Sequence, residues 1–190
     1  MSAPCRRARR EALAALALGG CGLRAAPALA GESVYPPIVR GVPLAFPRDH
    51  GAHPAFRTEW WYLTGWLQRA DGVHRGQPMG VQVTFFRSRT RHDTANPSRF
   101  APTQLLLAHA ALALPERGEL VHSQRAARAG FGLASTSEHD TALSIDGWTL
   151  ERDAADRYHA RVADRRFAIE LDAEAHAPPV PQGDAGFSRK

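Results

Sequence analysis

The chain has 190 residues and a formal net charge of +5, a length that suits one domain behind a leader. The basic excess sits at the start: residues 1–30 hold Arg6, Arg7, Arg9, Arg10 and Arg24 against Glu11, and beyond them 19 basic residues face 18 acidic ones. A nearly neutral remainder removes the electrostatic case for nucleic-acid binding, and with both cysteines, Cys5 and Cys21, in the leader, the rest has no disulfide framework, cysteine nucleophile or cysteine metal site.

Residues 1–30 read as a secretory signal. Arg6 to Arg10 form a basic region, Ala12 to Leu18 a short apolar one, and Ala28-Leu29-Ala30 a small-residue exit. The apolar run is too short to span a bilayer. Three versions stay open: ordinary cleavage after Ala30, a twin-arginine signal at Arg9-Arg10, and a lipobox ending at Cys21. All three expect export to the periplasm of a bacterium, with membrane contact only through a lipid anchor at Cys21.

Residues 31–47 contain Pro36, Pro37, Pro43 and Pro47. Proline lacks an amide donor, so this is an extended lead-in segment. A polar loop follows from Arg48 to Arg57. It carries His50 and His53 beside Asp49, but Gly51 and Pro54 argue against a helix that would aim both rings at one metal. The expectation is no metal, and two histidines that shield a barrel mouth.

Arg57 to Trp66, RTEWWYLTGW, holds three of the four tryptophans, and its aromatic and β-branched content predicts a strand. Alternation puts Thr58, Trp60, Tyr62, Thr64 and Trp66 on one face and Glu59, Trp61, Leu63, Gly65 and Leu67 on the other. Large aromatics on both faces suit the wall of a closed barrel, one face lining a lumen. Asp71-Gly72 predicts a hairpin turn. Met79 to Ser88 is the return strand, with Met79, Val81, Val83 and Phe85 on one face and Gln82, Thr84 and Phe86 on the other. A long charged loop runs to Pro102.

Thr103 to Leu114 reads as a strand, with His109 as a hydrogen-bonded core histidine or, alternatively, a proton shuttle. Residues 118–137 are ambiguous, with a short helix expected over Gln124 to Arg128. Short strands follow at Thr141 to Asp146, Trp148 to Arg152, Arg157 to Ala163 and Phe167 to Ala173, with turns at Asp146-Gly147 and Asp164-Arg165. Phe167, Ile169, Leu171 and Ala173 alternate with polar residues, which marks an antiparallel sheet with one wet face. The pattern predicts an all-β, up-and-down barrel over residues 48–190.

Several stretches resemble the AttH and carotenoid 1,2-hydratase (hydroxyneurosporene synthase) family. They are Phe46 to Tyr62, FPRDHGAHPAFRTEWWY, with Gly65-Trp66; Val83 to Arg87; Gln104 to Ala110; and the terminal GDAGFSRK of residues 183–190. The resemblance implies a lipocalin-like (calycin-type) antiparallel β-barrel, the first of two halves, so that this chain would be truncated and its partner the missing C-terminal half. Some members of that family hydrate carotenoid double bonds; others are exported proteins labelled hydrolases. The acid catalysts are thought to lie largely in the second half.

Hydrating a substituted alkene takes an acid, a wall that tolerates a carbocation and one positioned water. Glu59, set among aromatics, is the candidate catalytic acid, and the aromatic faces would stabilise the cation. The competing reading pairs Glu59 with Arg57, Arg87 or another arginine as a structural ion pair. Trp60, Trp61, Tyr62, Trp66, Gln82, Phe85 and His109 are the candidate ligand-binding residues, with ordinary core packing as the alternative for the aromatics. The expected ligand is an elongated apolar molecule, isoprenoid or lipid, without a cofactor. A non-enzymatic periplasmic carrier, or an accessory to an export transporter, is the rival function. No G-x-S-x-G or H-E-x-x-H motif supports a hydrolase locally.

Overall fold

A computed structural model describes residues 35–188; the leader assignments, including Cys21, lie outside them. Among the described residues nine strands form two antiparallel sheets, each in simple chain order. The first contains β1 (Thr58–Gln68), β2 (Pro78–Arg89), β3 (Gln104–Leu114) and β4 (Glu119–Arg128). The second contains β5 (Ala134–Thr136), β6 (Ala142–Ile145), β7 (Trp148–Arg152), β8 (Arg157–Ala163) and β9 (Ala168–Glu174). The all-β antiparallel expectation holds, and β7 and β8 have the bounds the alternation predicts.

The sheets are consistent with a lipocalin-like fold but do not close into a barrel, so the expected lumen is not formed. The space between the sheets is filled instead. Val83, Phe85, Leu106 and Ala108 from the first sheet meet Leu143, Ile145, Trp148, Leu150, Ala160 and Val162 from the second in one core. Closure would need hydrogen bonding at two seams, β4 to β5 and β9 to β1, and neither pair is joined.

Parity decides which residues face that core. On β1 the inward set is Trp61, Leu63 and Leu67, packed against the buried cluster. Trp60, Tyr62 and Trp66 point outward, 50%, 58% and 74% exposed, so the face read as lumen-lining is an outer surface. On β3 the even residues Leu106, Ala108 and Ala110 are buried. His109 therefore points outward, and the core-histidine reading is corrected: its ring meets Phe86 edge-on at 5.6 Å.

The helix expected over Gln124 to Arg128 is the second half of β4, in continuous register with β3 from Leu105↔Arg128 to Leu114↔Glu119. Ladder pairing overrides the weak helical preference of that segment. At Asp146-Gly147 both residues have positive φ, 47° and 79°, as a two-residue hairpin of the primed type requires. The β1–β2 connection is longer than a tight turn: the Gly76 amide donates to the Arg69 carbonyl at 2.8 Å, closing a loop around Gly72. One flank is tied by side chains: Ser123 Oγ donates to Asp164 at 2.7 Å, and the Arg125 guanidinium lies 4.6 Å over the Trp148 ring.

Candidate functional site

The segment before β1 wraps the end of the first sheet and is pinned to both sheets by one carbonyl. His50 O accepts from Trp61 Nε1 at 2.8 Å and from Thr141 Oγ1 at 3.0 Å. The next residue, Gly51, lies against the backbone of the loop before β6: a Cβ there would sit 2.7 Å from the Glu138 carbonyl carbon. Gly51→Ala is expected to cost about 1–3 kcal/mol, because backbone rather than a side-chain tip must yield. Urea unfolding measures it, and an unchanged midpoint would contradict the packing described.

Glu59 and Arg87 are directly opposed across the β1–β2 ladder, both on the inward face. Arg87 is fully buried. Its Nε donates to Glu59 Oε2 at 2.7 Å, while its terminal nitrogens donate to Gln104 Oε1 at 2.8 Å and to the Phe56 carbonyl at 2.9 Å. Gln104 Nε2 in turn donates to the Pro54 carbonyl at 3.0 Å. One buried guanidinium thus holds β1, β3 and the loop together.

The other side of Glu59 faces His53. The His53 amide donates to Oε2 at 2.8 Å, and its ring Nδ1 lies 2.6 Å from Oε1. The far ring nitrogen, Nε2, is 3.1 Å from Asp49 Oδ1. Asp49 also accepts from the Ala45 amide and from Arg48 Nε. Burial pushes the Asp49 carboxyl up, but the hydrogen bonds from the Ala45 amide, His53 and Arg48 outweigh it and hold the carboxyl below its ordinary range. The result is a chain Arg87–Glu59–His53–Asp49. The ion-pair alternative for Glu59 describes this geometry, and His53 sits inside the network rather than as a free cap at a barrel mouth.

Beside this chain lies a cavity of about 530 Å³. Trp60, Trp61, Tyr62 and Leu63 all border it; since consecutive strand residues point to opposite faces, the groove runs along the β1 edge. Leu150 and Tyr158 of the second sheet, with Thr141 just before β6, form the far wall, and Asp49, His50, His53 and Glu59 supply the polar lining. Sequence reasoning missed Tyr158, Thr141 and Leu150; only the sheet-to-sheet approach brings them to β1. The remaining ligand candidates lie elsewhere. Trp66 and Gln82 border a second cavity of about 430 Å³ with Gly80, Ala111, Ala113 and Leu120. His109 is on that same outer face, and Phe85 is in the core. Among the described residues no group of three or more His, Cys, Asp or Glu is placed to hold a metal ion.

The His50 ring packs 4.4 Å from Phe46 and edge-on to Tyr158 at 6.5 Å. Burial, and then the nearby Arg152 charge, lower its pKa. The unfolded chain therefore takes up the His50 proton at a higher pH than the folded chain. Stability is unaffected above the unfolded value and falls as pH drops through about 6.5. His159 has the opposite sign: hydrogen bonds to Asp172 and Asp153 raise its pKa, so its contribution is present below the unfolded value and lost as pH rises through the folded one. The His50→Gln protein is expected to lose stability less steeply between pH 7 and 5 than the parent. Parallel unfolding profiles would show that His50 carries no such linkage.

A family profile described as AttH-like matches residues 37–190. No curated protein matches the chain. Among solved structures, a crystal structure of an AttH candidate from Nitrosomonas europaea is similar, with 43% sequence identity and a TM-score of 0.70. The similarity covers 82% of this chain and 45% of that one, so this chain spans less than half the length of that relative. The matched residues take in both sheets, the buried Arg87 hub and the whole groove, and on that span the chain belongs to the AttH-like family.

Proposed function

We propose that this AttH-like chain is exported and binds an elongated apolar ligand, isoprenoid or lipid, along the β1 groove. The observation that carries the reading is the groove's make-up: Trp60, Trp61, Tyr62, Leu63 and Leu150 form apolar walls that end at the Glu59–His53 pair. Ligand sites are commonly concave, apolar and a few hundred Å³ in volume, with a small number of convergent polar groups. Aromatic walls also suit a polyene, whose π-system stacks on rings.

Titrating acyclic carotenoid or a long-chain isoprenoid alcohol against tryptophan emission tests the binding. Saturable quenching is expected, with affinity reduced roughly tenfold or more by Tyr62→Ala together with Leu150→Ala. Absence of saturation in the parent protein overturns the reading. The export part is checked by mass spectrometry of the protein from cell fractions: a start at Gly31 marks ordinary cleavage, and a lipidated Cys21 marks an anchor.

A second reading, hydration of a carbon–carbon double bond by the full-length family protein, draws on Glu59. Its carboxyl reaches the groove and exchanges a hydrogen bond with a partly exposed imidazole. The proton would add to one alkene carbon and a water oxygen to the other, the water's spare proton returning to the carboxylate. Against it, Glu59 accepts from Arg87 and from the His53 amide, an arrangement that serves a structural carboxylate. Incubating full-length protein and alkene in oxygen-18 water separates the two. Label in the product, lost in Glu59→Gln while affinity is kept, supports catalysis; binding without label leaves a carrier.

A further inference from the structure

The two outer faces of this molecule have opposite chemistry. The second sheet turns Glu151, Arg157, Arg161, Glu170, Asp172 and Glu174 to solvent, in cross-strand rows, the usual dress of a sheet face that stays wet. The outward positions of β1 to β4 carry Arg128, at one corner, and no other Asp, Glu, Lys or Arg. Their rows read Trp60–Phe86–Leu107–Ala126 and Trp66–Gly80–Ala113–Leu120. Trp66 and Leu120 are 74% and 60% exposed at the two edges of the second row, with the cavity of about 430 Å³ between them. Between these rows lie two uncharged ones, Tyr62–Thr84–His109–Gln124 and Thr64–Gln82–Ala111–His122. A broad sheet face with exposed aromatic and leucine side chains and almost no charge marks an interaction site.

The length relation supplies the occupant. The similar Nitrosomonas europaea chain is covered over only 45% of its length, so more than half of that protein has no counterpart among these residues. We infer that the outer face of the β1–β4 sheet is the docking surface for that remaining part of a longer AttH-like chain, which would lay an apolar layer across Trp66, Leu107 and Leu120. Sheet faces pack about 10 Å apart when side chains interdigitate, and the gap over Gly80, Ala111 and Ala113, flanked by Trp66 and Leu120, offers a recess for such side chains. Trp60 and Tyr62 belong both to this face and to the β1 groove, but Trp66, Leu107 and Leu120 do not border the groove, so substitutions at them test the docking face apart from any ligand there.

The test co-expresses the 190-residue chain with the uncovered part of the Nitrosomonas europaea relative as a separate polypeptide. One-to-one co-purification is expected, weakened roughly tenfold or more by Trp66→Glu with Leu120→Glu. Thr149→Glu, on the charged outer face of the second sheet, should leave it unchanged. Far-ultraviolet dichroism shows that each variant remains folded. Should the separate segment be insoluble, joining it after Lys190 keeps the question open to measurement: the double substitution then lowers the melting midpoint of the joined protein but not of the chain alone. Co-purification indifferent to the double substitution, or equal midpoint changes in both proteins, overturns the inference. So does a dimer of the chain alone that the double substitution dissociates, or binding of the chain to phosphatidylglycerol vesicles that it abolishes, since the face would then belong to a second copy or to a membrane.

Discussion

The Arg87→Leu protein is expected to be less stable than the parent by about 3–5 kcal/mol, the loss seen when one partner of a buried ion pair is removed. The size follows from what the guanidinium satisfies. It is fully buried, and it donates to Glu59, to Gln104 and to the Phe56 carbonyl. Without it Gln104 Oε1 and the Phe56 carbonyl lose their donor, and Glu59, though still held by His53, loses its counter-charge; each unmet buried acceptor adds its own desolvation cost. Domains of this size hold only about 5–15 kcal/mol in all, so the variant should unfold at a much lower denaturant concentration. Lysine should not rescue, because one ammonium cannot reproduce the planar fork. Adding Glu59→Gln should recover part of the loss, since the stranded charge is removed with its partner. Equilibrium urea unfolding of the single and double variants reads all of this; an Arg87→Leu curve overlying the parent would show that the hub does not hold the fold.

Trp148→Ala comes next, with an expected loss of about 3–5 kcal/mol. Trp148 is 1% exposed and sits among the second-sheet residues of the core. Its indole N–H donates to the Ala163 carbonyl at 2.9 Å, which ties β7 to the end of β8. Its ring carries the Arg125 side chain of β4, so one residue joins packing, a hydrogen bond and the flank between the sheets. Trp148→Phe should cost less, because most of the ring volume is kept; what is lost is the rest of that volume and the donor to the Ala163 carbonyl, an unmet buried acceptor costing about 1–3 kcal/mol. The two variants unfolding at the same midpoint would mean that the volume is not what matters.

Much of the fold was legible locally. The bounds of β7 and β8, the Asp146-Gly147 turn and the inward set of β9 all follow from period-two alternation and turn chemistry. The segment from Gln124 to Arg128 was not, because alanine and long polar side chains have weak strand preference; its partner β3 makes it a strand. The site was legible in part. Glu59, His53 and His50 do meet at one groove with Trp60, Trp61 and Tyr62. Arg87 could be found as the charged residue that continues the apolar phase of Val81, Val83 and Phe85. Tyr158, Thr141 and Leu150 left no local trace, because their nearness to β1 depends on how the second sheet approaches the first.

The amino-acid order alone determined most of the strands, β4 and β5 excepted, with the two faces of each and the carboxylate set among the tryptophans, since these depend on neighbours a few residues apart. Which face of β1 is inside was a tertiary decision. Alternation yields two sets without saying which one meets the second sheet, and both sets here are aromatic. Packing of Trp61 and Leu63 against the core turned Trp60, Tyr62 and Trp66 outward. The same choice put Glu59 inward, opposite Arg87, because parity on adjacent strands is shared across the ladder.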